Sequence, residues 1–418
     1  MKRIKVADQA RLIRSLLMVL ALILIVVLII TWLRNGRDEP EPPTTEPNSS
    51  GEPVGLPIQM YQGGFLNLKE LPGWLETAPK KEITYPEDGV RGIYISAFAA
   101  GNQEVMEENI RLIEESDLNA MVIDFKDDYG KVRVDTGSDY PLIREQTEAI
   151  YTSERIAELK KRGIYLIARI VVFRDPSLAT THPEMAFLHP NGQLLETDGQ
   201  AFVNPLKKEV WDYNVAIARE AIALGFDEIQ FDYVRFAEGF ERIEDTLQFD
   251  RGNYAEMTDP ILRNQQAITD FIAYARRKIN AYQVKLSVDV FGYIAFDPMS
   301  GIGQSMPQII EQVDVLSAMI YPSHWGSGYF ELTAPDREPY RVVEAYLKKE
   351  QEIFSAAEQP PISRPWLQAF TARYLGEGNY LVYGKEEIEE QIKALQAAGV
   401  DEYLLWQSTS RYPEDVDY

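Results

Sequence analysis

The chain has 418 residues, a formal net charge of −23, 45% hydrophobic residues and no cysteine. This balance argues against nucleic acid and anionic membrane surfaces as partners of the body. It also rules out disulfide staples and thiolate metal sites, so stability has to come from a large core.

The chain opens with an uncharged apolar run, Ser15 to Leu33, of the length a helix needs to cross a bilayer core. Lys2, Arg3, Lys5, Arg11 and Arg14 precede it and only Arg34 and Arg37 follow closely, which places the N-terminus in the cytoplasm and the remainder outside. Residues 1–37 are therefore expected to be a cytoplasmic tail and single membrane anchor. A cleaved signal peptide is the rival reading, but Trp32-Leu33-Arg34-Asn35 offers no small-residue cleavage site. Residues 38–57 turn to Pro, Glu, Thr, Ser and Gly, the composition of a disordered linker. Residues 58–87 regain Met60, Tyr61, Phe65 and Trp74 without clear periodicity and are expected to pack on the outside of the body.

From residue 88 to 418 the pattern is that of a (β/α)₈ TIM barrel. Eight strand-like runs begin near Gly92, Asn119, Tyr165, Glu228, Val284, Asp314, Pro365 and Glu402, and amphipathic stretches such as Glu104–Ser116, Ser153–Arg162, Lys208–Leu224, Ile261–Ala281 and Lys385–Ala398 lie between them. Gly163, Gly225 and Gly399 stand where helix C-caps turn into strands. Near-continuous apolar strands separated by helices imply a parallel sheet covered on its faces. No G-x-G-x-x-G follows the first strand, which disfavours a dinucleotide-binding sheet.

In such a barrel the active site forms at the C-terminal ends of the strands. Three acids interrupt apolar runs at those positions: Asp124 in VIDFKDD, Asp232 in GFDEIQFDYVRF and Asp289 in SVDVFGY. A buried carboxylate without a partner is costly, so each either faces a polar cleft or serves a structural ion pair. Adjacent strands lie roughly 4.8 Å apart, which suits the separation of about 5 to 5.5 Å between the carboxyls of retaining glycosidases. The expectation is Asp232 as nucleophile, Asp289 as general acid/base with its pKa raised beside Phe291 and Tyr293, and Asp124 orienting hydroxyls or stabilising charge. Arg169 and Arg235 are candidate cations, with a purely structural salt bridge as the alternative for each. Tyr233, Phe236, Tyr321, Trp366 and Trp406 are candidate sugar platforms, with ordinary core packing as the alternative for the two tryptophans. His324 and Trp325 fall in SHWGSGYFE, a Gly-bearing loop expected to form a mobile substrate grip, and Gln407 follows Trp406.

The ordered motifs GIYISAF, VIDFKDDYG, IARIVVFRDP, FVNP, GFDEIQFDYVRF, SVDVFGY, MIYPSHW and LLWQ resemble the putative glycosyl hydrolase domain family of bacteria over about Val90 to Tyr412. The resemblance implies a (β/α)₈ fold, a polysaccharide or oligosaccharide substrate and frequent membrane anchoring. An Asp ending strand four and an acid ending strand five is more distantly similar to the alpha-amylase layout. There the second acid is usually Glu and a third carboxylate ends strand seven, whereas this chain has Asp289 and Gln368. Laid on this chain, the chitinase-like D-x-x-D-x-D-x-E motif falls on Asp227, Gln230, Asp232 and Val234, without its catalytic Glu.

Other chemistries find no motif. The histidines His182, His189 and His324 show no H-x-x-x-H or H-E-x-x-H spacing, and no G-x-S-x-G elbow is present. Asp124, Asp127 and Asp128 form a weak cation-binding run, better read as a hydrated acidic loop, so no metal or cofactor is expected. The reading is a retaining glycoside hydrolase of the cell surface. Its alternative is a catalytically silent, membrane-anchored glycan-binding scaffold.

Overall fold

A computed structural model describes residues 85–298 and 301–418. The expected anchor, the linker and nearly all of the lead-in lie outside the described residues. Among the described residues no helix is long and apolar enough to cross a membrane.

Eight parallel strands close on themselves: β1 (Arg91–Ile95), β2 (Ala120–Lys126), β3 (Tyr165–Val171), β4 (Glu228–Asp232), β5 (Lys285–Phe291), β6 (Val315–Met319), β7 (Trp366–Gln368) and β8 (Tyr403–Trp406). Consecutive strands are neighbours, and β1 pairs with both β2 and β8, which completes the barrel. Helices α1 (Gln103–Glu114), α2 (Ser153–Lys161), α3 (Lys208–Leu224), α4 (Pro260–Ile279), α5 (Met306–Ile309), α6 (Pro339–Phe354) and α7 (Lys385–Ala397) occupy the seven connections. The helical stretches read from the sequence agree with α1 to α4 and α7 to within a few residues, while α5 is reduced to one turn. Gly225 ends α3 with φ of 116°, a conformation open to glycine and strained for other residues.

The strands read as continuous apolar runs because both of their faces are covered. Along β2, Met121, Ile123 and Phe125 join the shell between barrel and helices, while Ala120 and Val122 point into the lumen with Tyr94, Tyr165, Ile167, Tyr321, Trp366 and Leu404. Small residues keep the lumen closed. A Cβ at Gly92 would come within 2.8 Å of the Leu404 side chain and 3.2 Å of Ala120.

Strand seven is interrupted. Ile362–Ser363 pairs with β6, the chain breaks at Arg364-Pro365, and β7 resumes at Trp366. Proline supplies no ladder N–H. Arg364 turns into the base of the barrel, fully buried, and bonds Glu228 at 2.7 Å, Glu402 at 2.7 Å and the Tyr85 hydroxyl at 2.8 Å.

Candidate active site

The lumen becomes polar toward the C-terminal ends of the strands. Register aligns Asp124 with Arg169 and Arg169 with Gln230. One step further, Phe231 pairs with Val288, so Asp232 and Asp289 follow side by side on adjacent strands. Both line a cavity of about 270 Å³ at the mouth, together with Arg169, Tyr321, Trp366 and Trp406. A larger depression of about 900 Å³, walled by Arg91, Asn119 and Glu402, lies at the opposite ends of the strands, the stability face of this architecture.

Arg169, 1% exposed, is the hub of the site. Its guanidinium donates to Asp232 Oδ2 at 2.9 Å from Nε and lies 2.6 Å from it through Nη2, and it reaches Asp124 Oδ1 at 2.7 Å and Asp128 Oδ1 at 3.2 Å. Arg174 adds an ion pair to Asp128 and a hydrogen bond to the Tyr233 hydroxyl, with its guanidinium 3.8 Å from the Tyr233 ring centroid. Although burial pushes the Asp128 carboxyl up, the two guanidiniums outweigh it and hold it below the usual carboxylate value. Burial raises Asp124 to about 6, against the opposing pull of Arg169, and the Tyr94 hydroxyl donates to its Oδ2 at 2.6 Å.

The two neighbouring acids differ in their surroundings. Asp232 faces Arg169 and also accepts the Tyr233 N–H at 2.6 Å. To make that bond Tyr233 adopts φ of 52°, a left-handed backbone rarely held by a tyrosine and of the kind concentrated at functional sites. Asp289 has no cation within ion-pair distance among the described residues. It accepts the Trp366 indole N–H at 2.8 Å, and burial, reinforced by the negative charge of Asp232, pushes its carboxyl well above the usual range. Gln304 ties the two strand ends together: its Oε1 accepts the Phe291 N–H at 3.0 Å and its Nε2 donates to the carbonyls of Val234 and Asp289, each at 3.4 Å.

The remaining sequence candidates divide. Tyr233, Arg235, Tyr321, His324 and Trp406 line the cavity with the two acids. Arg235 stacks over Phe291 at 4.8 Å and Tyr233 at 5.1 Å instead of pairing with either acid, and burial lowers its pKa. Burial likewise holds His324 below the usual histidine value, leaving a neutral ring in the wall. Trp406 stacks on Tyr94 at 4.0 Å and meets Trp366 edge-on.

Other candidates stand elsewhere. Asp124 borders a neighbouring depression and touches the cavity only through Arg169. Tyr293 lies behind Phe291, stacked on it at 5.2 Å. Trp325 corrects the expectation of a mobile grip: it is 6% exposed and packs against Phe296, Phe330 and Tyr346, because a ring beside apolar neighbours gains more by burial than by lying in water. Gln368 is fully buried and committed to Asp336, Gln391, Ser323 and the Phe370 carbonyl, and Gln407 donates to the Ala369 carbonyl. Phe236 is buried against Phe187 and Phe240. In the acidic run at the end of β2, Asp127 takes Arg133 at 2.6 Å while Asp124 and Asp128 take Arg169, so each acid already faces a guanidinium.

Arg174, Asp128 and Gln304 were not singled out individually from the sequence. Asp128 carried a signal, an acid two residues past a strand that ends at the mouth. Arg174 and Gln304 lie in irregular segments beyond their strands, where no periodicity marks them.

A family model described as "Putative glycosyl hydrolase domain" matches residues 92–412. The chain belongs to this family. Among solved structures, it is similar to the PgaB (BpsB) glycoside hydrolase domain of Bordetella bronchiseptica at 16% identity, covering 77% of this chain and 94% of that one with a TM-score of 0.53, a likeness of fold. A hypothetical protein from Ruminiclostridium thermocellum is 31% identical over 47% of this chain and 97% of its own, with a TM-score of 0.41. An alpha-galactosidase from Thermus thermophilus is 12% identical, covering 80% of this chain and 60% of that one, with a TM-score of 0.47. No curated protein matches the chain. The acids stand at the C-terminal ends of the strands, the face where (β/α)₈ barrels place their chemistry.

Proposed function

We propose that the chain is a retaining glycoside hydrolase acting on an extracellular or cell-wall polysaccharide, with Asp232 as nucleophile and Asp289 as general acid/base. One observation carries the reading: two carboxyls on adjacent strand ends line a single cavity, one beside a guanidinium and the other pushed toward its protonated form. Their side-by-side register accords with the separation of about 5 to 5.5 Å used for retention.

In the first step an Asp232 oxygen attacks the anomeric carbon while Asp289 gives its proton to the departing glycosidic oxygen, leaving a glycosyl ester on Asp232. Asp289, now ionised, takes a proton from water. The resulting hydroxide displaces Asp232, releasing the sugar and restoring both acids. Asp128 and Asp124 keep the Arg169 charge compensated while Asp232 is esterified. The Trp366 N–H fixes the Asp289 carboxyl, and Tyr321, His324 and Trp406 supply polar groups and an aromatic face for the sugar.

A glycan-binding barrel without turnover is the second reading, favoured by one observation: both oxygens of Asp232 are already engaged, by Arg169 and by the Tyr233 N–H. Asp232→Asn separates the two. It is expected to lower release of reducing sugar by about 10³-fold or more and to leave glycan binding in place. Wild-type protein that binds a glycan and never cleaves it would establish the second reading. The apolar run 15–33 supports placement of the barrel outside the membrane, and protease added to intact cells is expected to remove it.

A further inference from the structure

Beside the catalytic cavity lies a second depression of about 540 Å³, bounded by the loops after β1, β2 and β8. Trp406 and Asp128 line both spaces, so the two adjoin, with one indole and one carboxylate between them. Resting on the catalytic reading above, we infer that this depression holds the neighbouring sugar of the same chain, an uncharged pyranose.

Exposure is the first ground. Phe98 and Tyr129, 61% and 58% exposed, both line the depression. Among the described residues, the other exposed large apolar side chains, Ile243, Leu262, Tyr329, Tyr374 and Val382, also fall on segments that follow strand C-terminal ends or in the first turn of a helix leaving them. Within the described residues this apolar surface gathers at the mouth, which marks it as a contact face, since scattered exposure would show no such bias. Exposed aromatic rings suit the C–H face of a pyranose.

Charge is the second ground. The lining contains Asp124, Asp127 and Asp128 and no lysine or arginine, and each of these carboxylates already faces a guanidinium beneath the surface. A uronate or phosphate-bearing unit would meet carboxylate oxygens with no cation presented to it, on a chain of net charge −23. Sugar hydroxyls can instead use the spare lone pairs of these acids and the side chains of Ser96, Asn102, Ser408 and Thr409.

The test uses the full chain in a non-glycosidic detergent. Binding and turnover are measured for cello-, malto-, manno- and chito-oligosaccharides of two to six sugars, for oligogalacturonides of equal length, and for 4-nitrophenyl glycosides. One neutral series is expected to gain about tenfold in affinity or kcat/KM on adding the sugar that reaches the depression. The double variant Phe98→Ala/Tyr129→Ala should lose that gain and keep its turnover of the nitrophenyl glycoside. Ser408→Trp, which fills the depression while both rings remain, should lose it equally.

A gain that survives both variants, or an equal gain for oligogalacturonides, overturns the inference while leaving the catalytic reading intact. Binding that depends on length and on the two rings, without any turnover, upholds the subsite and removes the catalysis. Neither binding nor turnover across the panel overturns both.

Discussion

Each end of this barrel buries an arginine among carboxylates, yet the two ends differ in what surrounds those acids. At the base, Arg364 joins Glu228 and Glu402, and the hydroxyls of Tyr85 and Tyr165 take up remaining carboxylate oxygens. No acid of that cluster is left without a donor. At the mouth, Arg169 gathers Asp124, Asp128 and Asp232, while Asp289 stands next to them with an indole N–H for a partner and an open cavity in front. Burial and ion pairing are common to both ends. What separates them is an acid that burial pushes toward its protonated form and that borders an open cavity, the combination that acid catalysis requires and that stability does not.

The comparison breaks most visibly if the acids are neutralised one at a time. Asp289→Asn is expected to lower kcat by about 10² to 10⁴-fold. Its folding stability should move by less than about 1 kcal/mol, because burial and the neighbouring Asp232 charge already push the native carboxyl toward its neutral form. Glu228→Gln should do the opposite, costing about 3 kcal/mol through the loss of charge from a fully buried pair while leaving kcat per folded molecule unchanged. Urea midpoints and initial rates on the same preparations measure both. Equal losses of rate and stability in the two variants would erase the distinction between the ends.

A smaller effect follows from Asp124. Its folded value of about 6 lies above its ordinary 3.8, so the native state holds this proton more tightly than the unfolded chain. The stability this contributes is complete below about pH 4 and is lost as pH rises through about 6. Asp124→Asn should flatten that part of the pH–stability curve, a change of about 1–3 kcal/mol between the two limits. Chemical denaturation at intervals from pH 4 to pH 7 checks it, and a slope that persists unchanged would assign the titration to another mouth carboxylate.

Much of this architecture was legible because the barrel imposes burial on both faces of every strand. That requirement produces continuous apolar runs, against which Asp232 and Asp289 stand out as charges where hydrocarbon is expected. Glycines at 163, 225 and 399 mark helix ends for a similarly local reason, a left-handed backbone. Other features depend on contacts between distant segments. Nothing local separates Trp325, packed on Phe296 and Tyr346, from Trp406, which borders two cavities. The Arg364-Pro365 break inside strand seven is visible as a proline, but its purpose exists only once Glu228 and Glu402 arrive from other strands. Arg174 and Gln304 work through partners on neighbouring loops, so no spacing announces them.

Strand seven serves both ends, placing Arg364 at the base and Trp366 two residues later at the mouth, and this permits the finest test. The Trp366 N–H bonds the Asp289 carboxyl and favours its ionised form, opposing the burial that pushes it up. In Trp366→Phe that opposition disappears and Asp289 keeps its proton to higher pH. A general acid is active while protonated, so the alkaline limb of kcat/KM should move upward by about one pH unit, the equivalent of a single hydrogen bond. Tyr85→Phe removes hydrogen bonds of similar kind from the base cluster. It should cost about 1 kcal/mol of stability and leave the pH–rate profile where it was. A downward shift in Trp366→Phe would mean that the alkaline limb reports a group other than Asp289, and a shift in Tyr85→Phe would mean that the two ends share their electrostatics through the lumen.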